Sequence, residues 1–278
     1  MDLSIIIAHY DPGDHPSCIE SFHKTLSQIE SQKENYEIEV IIADDGSVTH
    51  QDIQSFGSSR TSPDDRTIYQ LEGNSLANWT QENYFDYPSI SHWLYLPKIE
   101  PMMSKARVGN IAIAKASSSN LFFLDDDNYF ISNHTIESII KLLQKYQLVI
   151  GQIQDNNGRL RSYSSKRVQG TTFGIIKHHI VQAGLFGVWT EQVSCGIDSD
   201  LWWKLYHHFQ KNPHLQACYS PDIITLDSCS KRWKPYINTF FRNYALKNLF
   251  KEIHGCKNYR NINTNPSRKK PNWIIDLT

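Results

Sequence analysis

The chain has few cysteines and no pairing pattern among them. Cys18, Cys195, Cys218, Cys229 and Cys256 are scattered, and none stands in a CxxC spacing. Cysteine therefore encodes neither a zinc ribbon nor a redox couple, and reduced thiols in a cytosolic protein are expected. Long apolar runs are missing too. No stretch approaches the ~18 residues of a membrane span, and strand-like residues begin at Leu3, where a leader would need a basic segment and an apolar core. A cytoplasmic protein is expected, at most peripheral at the inner face of the cell membrane. Charge of one sign is not in excess: Lys plus Arg is 28 and Asp plus Glu is 29, for a net charge of −1. That balance argues against a general nucleic-acid binder. Internal repeats and low-complexity tracts are absent. The basic triplet Arg268-Lys269-Lys270 reads as a solvated tail, because three charges anchor weakly to a membrane.

What remains is 278 residues, enough for one α/β domain with additions. The most telling stretch is Asn120-Leu-Phe-Phe-Leu-Asp-Asp-Asp-Asn-Tyr-Phe130. Leu121 to Leu124 read as a buried strand that ends in Asp125, Asp126 and Asp127. Open α/β folds bind ligands at the carboxyl ends of their strands. Three adjacent acids repel one another unless a cation lies between them, and hard oxygen donors suit Mg²⁺ or Mn²⁺. The plain alternative is a solvated acidic turn. Val40 to Ala43 followed by Asp44-Asp45-Gly46-Ser47 repeats the pattern, although Asp44-Asp45-Gly46 also fits an Asx turn. Leu3 to Ala8 is a third apolar run, broken by His9-Tyr-Asp-Pro-Gly13. Helical spacing separates these runs, with Ile19, Phe22, Leu26 and Ile29 in Ser17 to Glu30, and Val108, Ile111 and Ala112 in Ser104 to Ala116. Alternating strands and helices predict a mostly parallel sheet whose acidic tails face one crevice.

Other segments carry weaker signals. Ser55 to Arg66 reads as a surface loop. Trp79 to Leu96, rich in aromatics, reads either as an insertion over the crevice or as a packed edge hairpin. Ile136, Ile139, Ile140 and Leu143 mark a helix capped by Ser132 or Asn133. Leu148 to Ile153 and Thr171 to Ile176 read as strands, with a hairpin turn at Asn156-Asn157-Gly158, so the sheet becomes mixed. Asp198 and Asp200 open a helix with Leu201, Trp202 and Leu205 on its apolar face, where the helix dipole favours an anion. Asp198 is there either as a helix cap or as a proton acceptor.

In order and spacing these residues resemble a family 2 glycosyltransferase of the GT-A fold. Ser4-Ile-Ile-Ile-Ala-His-Tyr10 is similar to that family's first strand and nucleotide loop. Val40-Ile-Ile-Ala-Asp-Asp-Gly-Ser47 resembles its VDDGS segment, and Asp125-Asp126-Asp127 resembles its DxD motif. Ala183-Gly-Leu-Phe186 with Gly196-Ile-Asp-Ser-Asp-Leu-Trp202 resembles its GGF…GEDxDLW segment. The resemblance covers roughly residues 3 to 210. It implies a Rossmann-like mixed, mostly parallel sheet flanked by helices, with a GT-A domain over 1–230. About 1–130 would bind the nucleotide-sugar and about 131–230 the acceptor, and 231–278 would form a helical extension. It also implies roles. Ala8 and Tyr10 border the nucleobase, Asp45 accepts the base N–H, and Asp44 shapes the turn. Asp126 approaches ribose or phosphates, Asp125 and Asp127 hold Mn²⁺ or Mg²⁺, and Asp198 is the general base of an inverting displacement. The family's Arg-Asn pair before the DxD is Gly109-Asn110 here, so Lys105 or Arg107 is expected to supply the cation, and Arg107 is assigned to the donor. The acid before the base is replaced by Ile197. The partners implied are a nucleotide-sugar, taken as a UDP-sugar, and a glycan or lipid-linked acceptor, in the setting of bacterial surface polysaccharide synthesis. No nucleic acid is implied. Pro235 to His254 reads as an aromatic, basic helix that closes the acceptor side or forms a homodimer contact.

Three other readings compete. A catalytically silent sugar-nucleotide-binding or scaffold subunit of the same fold would be favoured by loss of Asp127 or Asp198, and both are present. A sugar-nucleotide pyrophosphorylase wants a Gly-rich, basic loop after the first strand. A haloacid-dehalogenase-type phosphatase wants a different spacing of acids from Asp125-Asp-Asp-Asn128.

Overall fold

A computed structural model describes residues 1–14, 16–61, 66–99, 102–161, 168–228, 239–260 and 273–278. The strands are β1 (Leu3–His9), β2 (Ile38–Asp44), β3 (Ser58–Thr61), β4 (Thr67–Leu71), β5 (Ile90–Tyr95), β6 (Asn120–Asp125), β7 (Asn128–Phe130), β8 (Leu148–Asp155), β9 (Phe173–Ile176), β10 (Ala217–Asp227) and β11 (Ile274–Asp276). The helices are α1 (Pro16–Glu30), α2 (Ile53–Phe56), α3 (Gly73–Glu82), α4 (Lys105–Lys115), α5 (Thr135–Leu143), α6 (Lys177–Ala183), α7 (Ile197–Lys211) and α8 (Thr239–His254). One sheet runs β11-β10-β8-β9-β6-β1-β2-β5-β4-β3, with β7 against β10. Its centre, β6-β1-β2-β5, is parallel, while β9 joins β6 and β8 antiparallel. This mixed α/β sheet flanked by helices is the GT-A fold.

The strands are apolar on both faces because helices cover both. Ile6, Ile41, Ala43, Leu121 and Phe123 pack with α4, α6 and α7 on one side. Ile5, Ile7, Val40, Ile42, Phe122 and Leu124 pack with α1, α3 and α5 on the other. Burying one such side chain is worth about 1.5–3 kcal/mol, which fixes the register of each strand. Pro16 begins α1, where a missing N–H costs nothing.

Several segments differ from expectation. The aromatic segment 79–96 is neither a cover nor an edge hairpin: Trp79 on α3 and Trp93 on the internal strand β5 are fully buried. Trp79, Phe85, Trp93 and Tyr95 fill the core because α3 packs on the sheet, while Tyr84 is exposed. Within 55–66, Ser58–Thr61 forms an exposed edge strand on β4 rather than loop. The turn at 156–158 returns only through a bridge between Gln154 and Leu160, and residues 162–163 lie outside the described residues. The C-terminal extension supplies a helix and also a strand, β11, on the edge of β10. Residues 235–238 and the basic triplet at 268–270 lie outside the described residues. No described helix is long and apolar enough to cross a membrane.

Candidate active site

The strand tails end side by side. His9 pairs with Asp44, and Ala8 pairs with both Ala43 and Asp125. Side chains alternate along a strand, so the pleat sorts the acids. Asp45 and Asp125 continue the rows that face α4. His9, Asp44 and Asp126 continue the rows that face α1 and α3. The two acidic clusters are thus split between faces instead of sharing one crevice. Asp126, expected at ribose or phosphates, is only 2% exposed; its Oδ2 lies 2.5 Å from His9 Nδ1 and accepts the Tyr10 amide at 3.2 Å. Asp44 is wholly buried. Its Oδ1 accepts the Ser47 amide at 2.7 Å, and its Oδ2 meets His50 Nδ1 at 3.0 Å and Trp93 Nε1 at 3.2 Å. The Ala8 carbonyl accepts the Asp126 amide at 3.1 Å.

On the α4 face, Asp45 accepts the Ser104 amide at 2.9 Å and the Lys98 ammonium at 2.8 Å. Burial pushes its carboxyl up to about 6, against the pull of Lys98. Lys98 Nζ also sits 4.3 Å from the centre of the Tyr10 ring. Gly46 makes this possible. It has φ +76°, and a Cβ there would lie 2.5 Å from the Lys98 amide nitrogen and 2.8 Å from the Leu96 carbonyl oxygen. Arg66 donates to Ser104 Oγ and to the Pro97 carbonyl, both at 2.6 Å. Sequence reasoning missed Lys98 and Arg66. They lie outside every motif; the pairing of β2 with β5 brings in Lys98, and that of β4 with β5 brings in Arg66.

Asp125, Asp127 and Asp198 line one cleft of about 430 Å³, with Gly170, Arg161 and Arg260 among its walls. Lys105, at the start of α4, hydrogen-bonds Asp125. Burial and the neighbouring Asp127 push the Asp125 carboxyl up to about 6, with Lys105 opposing. Burial also raises Asp198, again against Lys105. Two residues along a helix turn by about 200°, so Lys105 and Arg107 cannot face the same way. Arg107 instead holds Glu191 through Nε at 3.1 Å and Nη2 at 3.0 Å. Glu191 is 3% exposed.

The 168–172 segment meets Asp198 closely: any Cβ at Gly170 would collide with its Oδ1. Thr171 Oγ1 accepts the Asp125 amide at 2.9 Å, tying this segment to the end of β6. Thr172 beside it is buried at φ 60°, a costly angle for a β-branched residue. Asn110 clamps the Ala183-to-Phe186 segment, accepting the Phe186 amide at 3.0 Å and donating to its carbonyl at 2.9 Å. Gly109 leaves space for the Phe186 ring. Asp200 points away from the cleft. It is fully buried, meets His254 of α8 at 2.8 Å and Lys204 at 2.6 Å, and accepts from Trp189 at 2.9 Å. Burial works against its charge, but these partners hold its carboxyl below the usual range.

No protein-family model matches the chain, and no curated protein matches it in sequence. In shape it is similar to TarS of S. aureus, with a TM-score of 0.54 at 14% identity over 92% of this chain and 40% of that one. The TarS 1-349 structure in complex with UDP-GlcNAc gives 0.57 at 14% identity, over 92% of this chain and 67% of that one. The same TarS segment in complex with UDP gives 0.51 at 12%, over 97% and 76%. At such identities the likeness defines the fold. The chain spans 40% of the longer TarS structure.

Proposed function

We propose that the chain is an inverting glycosyltransferase that moves a sugar from a nucleotide-sugar, a UDP-sugar by preference, to a hydroxyl of a glycan or lipid-linked acceptor. The observation that carries this reading is the single cleft lined by Asp125, Asp127 and Asp198 at the carboxyl ends of the strands. The complex of TarS with UDP-GlcNAc supports the choice of donor class.

The residues fit a divalent cation. Asp125 and Asp127 offer hard oxygen donors in one cleft, and burial together with the neighbouring Asp127 disfavours the Asp125 charge even with Lys105 beside it. When bound, Mn²⁺ or Mg²⁺ supplies the positive charge that stabilises a departing diphosphate. Tyr10 offers a ring face to the base, and Asp45 keeps acceptor capacity beyond its bonds to Lys98 and Ser104. Asp198, raised by burial, takes the acceptor's proton. Lys105 holds Asp125, a carboxylate that it would share with the cation.

Calorimetry with UDP tests the donor half. Tighter binding with Mn²⁺ than with EDTA is expected, and Asp127→Asn should remove most of the difference. Equal affinity in both would sink the metal assignment, and preference for GDP or ADP would sink the uridine assignment.

A further inference from the structure

Beneath the nucleotide end, on the other face of the sheet, three side chains meet that the proposed transfer reaction does not use. His9 ends β1, Asp44 ends β2, and His50 closes the short 3-10 turn at Val48–His50. Each is at most 2% exposed. One ligand-capable atom from each lies within 4.8 Å of the other two. His50 Nδ1 and Asp44 Oδ2 are already 3.0 Å apart.

His9 is satisfied at one end only. Its Nδ1 lies 2.5 Å from Asp126 Oδ2, while its Nε2 is buried with no hydrogen-bond partner. A carboxylate at Nδ1 fixes the proton there and leaves a lone pair at Nε2. A buried polar atom left unpaired is costly. A carboxylate behind a histidine whose far nitrogen is vacant is the arrangement that orients metal-ligating imidazoles. Asp44 is braced in the same way, by the Ser47 amide and the Trp93 indole. The walls are aromatic. Phe22 stacks on His9 at 4.2 Å, and Trp93, Trp79 and Phe85 stand edge-on to His50 at 5.1, 5.3 and 5.6 Å.

We propose that His9, Asp44 and His50 bind one zinc-class divalent ion, distinct from the cation at Asp125 and Asp127. Two imidazole nitrogens and one carboxylate suit zinc better than Mg²⁺ or Mn²⁺. Bonds of about 2.0–2.1 Å in a tetrahedral site put ligand atoms roughly 3.3 Å apart, so His50 and Asp44 are in place, while the His9 ring, stacked on His50 at 5.1 Å, must turn to aim its Nε2 at the ion. The fourth position falls to the second Asp44 oxygen or to a water. The ion's two charges balance the buried carboxylates Asp44 and Asp126. Its position cross-links the β1 and β2 tails that carry Tyr10 and Asp45, so its role is structural.

The test uses the full chain purified without a polyhistidine tag and stripped with EDTA. Zn²⁺ is titrated against a chromophoric chelator, and Co²⁺ is added as a spectroscopic probe. Expected are one tight Zn²⁺ equivalent, visible tetrahedral Co²⁺ bands and a rise in Tm, all retained in Asp127→Asn. Asp126→Asn should weaken binding about 10–100-fold, as loss of an outer partner does. His50→Gln should abolish the tight site. A folded wild-type chain without tetrahedral Co²⁺ bands overturns the proposal whatever the variants do, including the case where His50→Gln does not fold. So does a tight equivalent that survives in His50→Gln, or one lost instead in His208→Gln, which would place it at the cluster of His178, His179 and His208.

Discussion

A carboxylate that removes a proton should reveal itself in turnover and not in donor affinity. Asp198→Asn is expected to cut transfer by about 10²–10⁴-fold with UDP binding nearly unchanged, as a kcat and calorimetry comparison would show. Gly170→Ala should act on the same step without touching the carboxyl chemically, because its methyl collides with Asp198 Oδ1 and turns the base aside. A kcat equal to wild type would mean that Asp198 does not act from this position. Lys105 pulls down the proton affinity of both Asp125 and Asp198. Its removal in Lys105→Gln should therefore move the acid limb of the kcat–pH profile to higher pH; an unmoved limb would separate Lys105 from the base. These residues were legible to different degrees. The acids stand out in the sequence because apolar runs end on them. Their sorting into two faces also follows from strand alternation, yet adjacency made Asp125, Asp126 and Asp127 look like one group. Lys105 and Arg107 look equivalent along the chain, yet the helix turns them to different sides, so that Lys105 meets Asp125 and Arg107 holds Glu191.

At the scale of elements, α7 carries both the base and its own anchor. Asp198 faces the cleft, while Asp200 ties α7 to α8 through His254 and to Trp189. Asp200→Asn is expected to leave transfer intact at low temperature but to lower stability by about 1–3 kcal/mol, the cost of mismatched buried hydrogen bonds, measurable by urea unfolding. Loss of transfer at full stability would put Asp200 in the chemistry instead. β1, β2, β6, α1, α4 and α5 were readable from periodicity, since each buries a clear face. β3, β4, α3, β5 and β11 were not. The aromatics of β5 look like surface platforms until α3 covers them, and the three residues of β11 carry no period of their own. Its pairing with β10 is a long-range event that no local pattern announces.

The whole molecule should respond to acid through a patch far from the cleft. Burial, together with His178, His208 and His214, lowers the His179 imidazole from 6.5 to about 4. Its Nδ1 lies 3.1 Å from His208 Nε2, a contact in which only one of the two nitrogens can carry the proton. A base depressed in the folded state stabilises above its unfolded pKa and loses that contribution as pH falls through the folded one. The window is therefore pH 6.5 down to 4, and the loss is on the order of 3 kcal/mol. Asp45 and Asp125, both raised to about 6, work oppositely: their contribution is present at low pH and lost as pH rises through 6. Urea unfolding of wild type and His179→Gln at pH 7.5 and 4.5 isolates the histidine, and the advantage of wild type should shrink at the lower pH. A constant difference would show that His179 does not titrate with folding.

The route of the chain through its sheet has a further consequence, for synthesis. When the ribosome has released β6, the antiparallel neighbour of that strand does not yet exist. β9, which fills the place, is made some fifty residues later, and β10, which β7 needs, later again. The nascent amino-terminal half therefore waits with an apolar edge uncovered, and the crevice acids acquire fixed positions only once residues up to Asp227 have emerged. A gene cut between β6 and β9 would encode one piece lacking the neighbour of β6 and another lacking the neighbour of β9, so the two halves are expected to fold only as one piece.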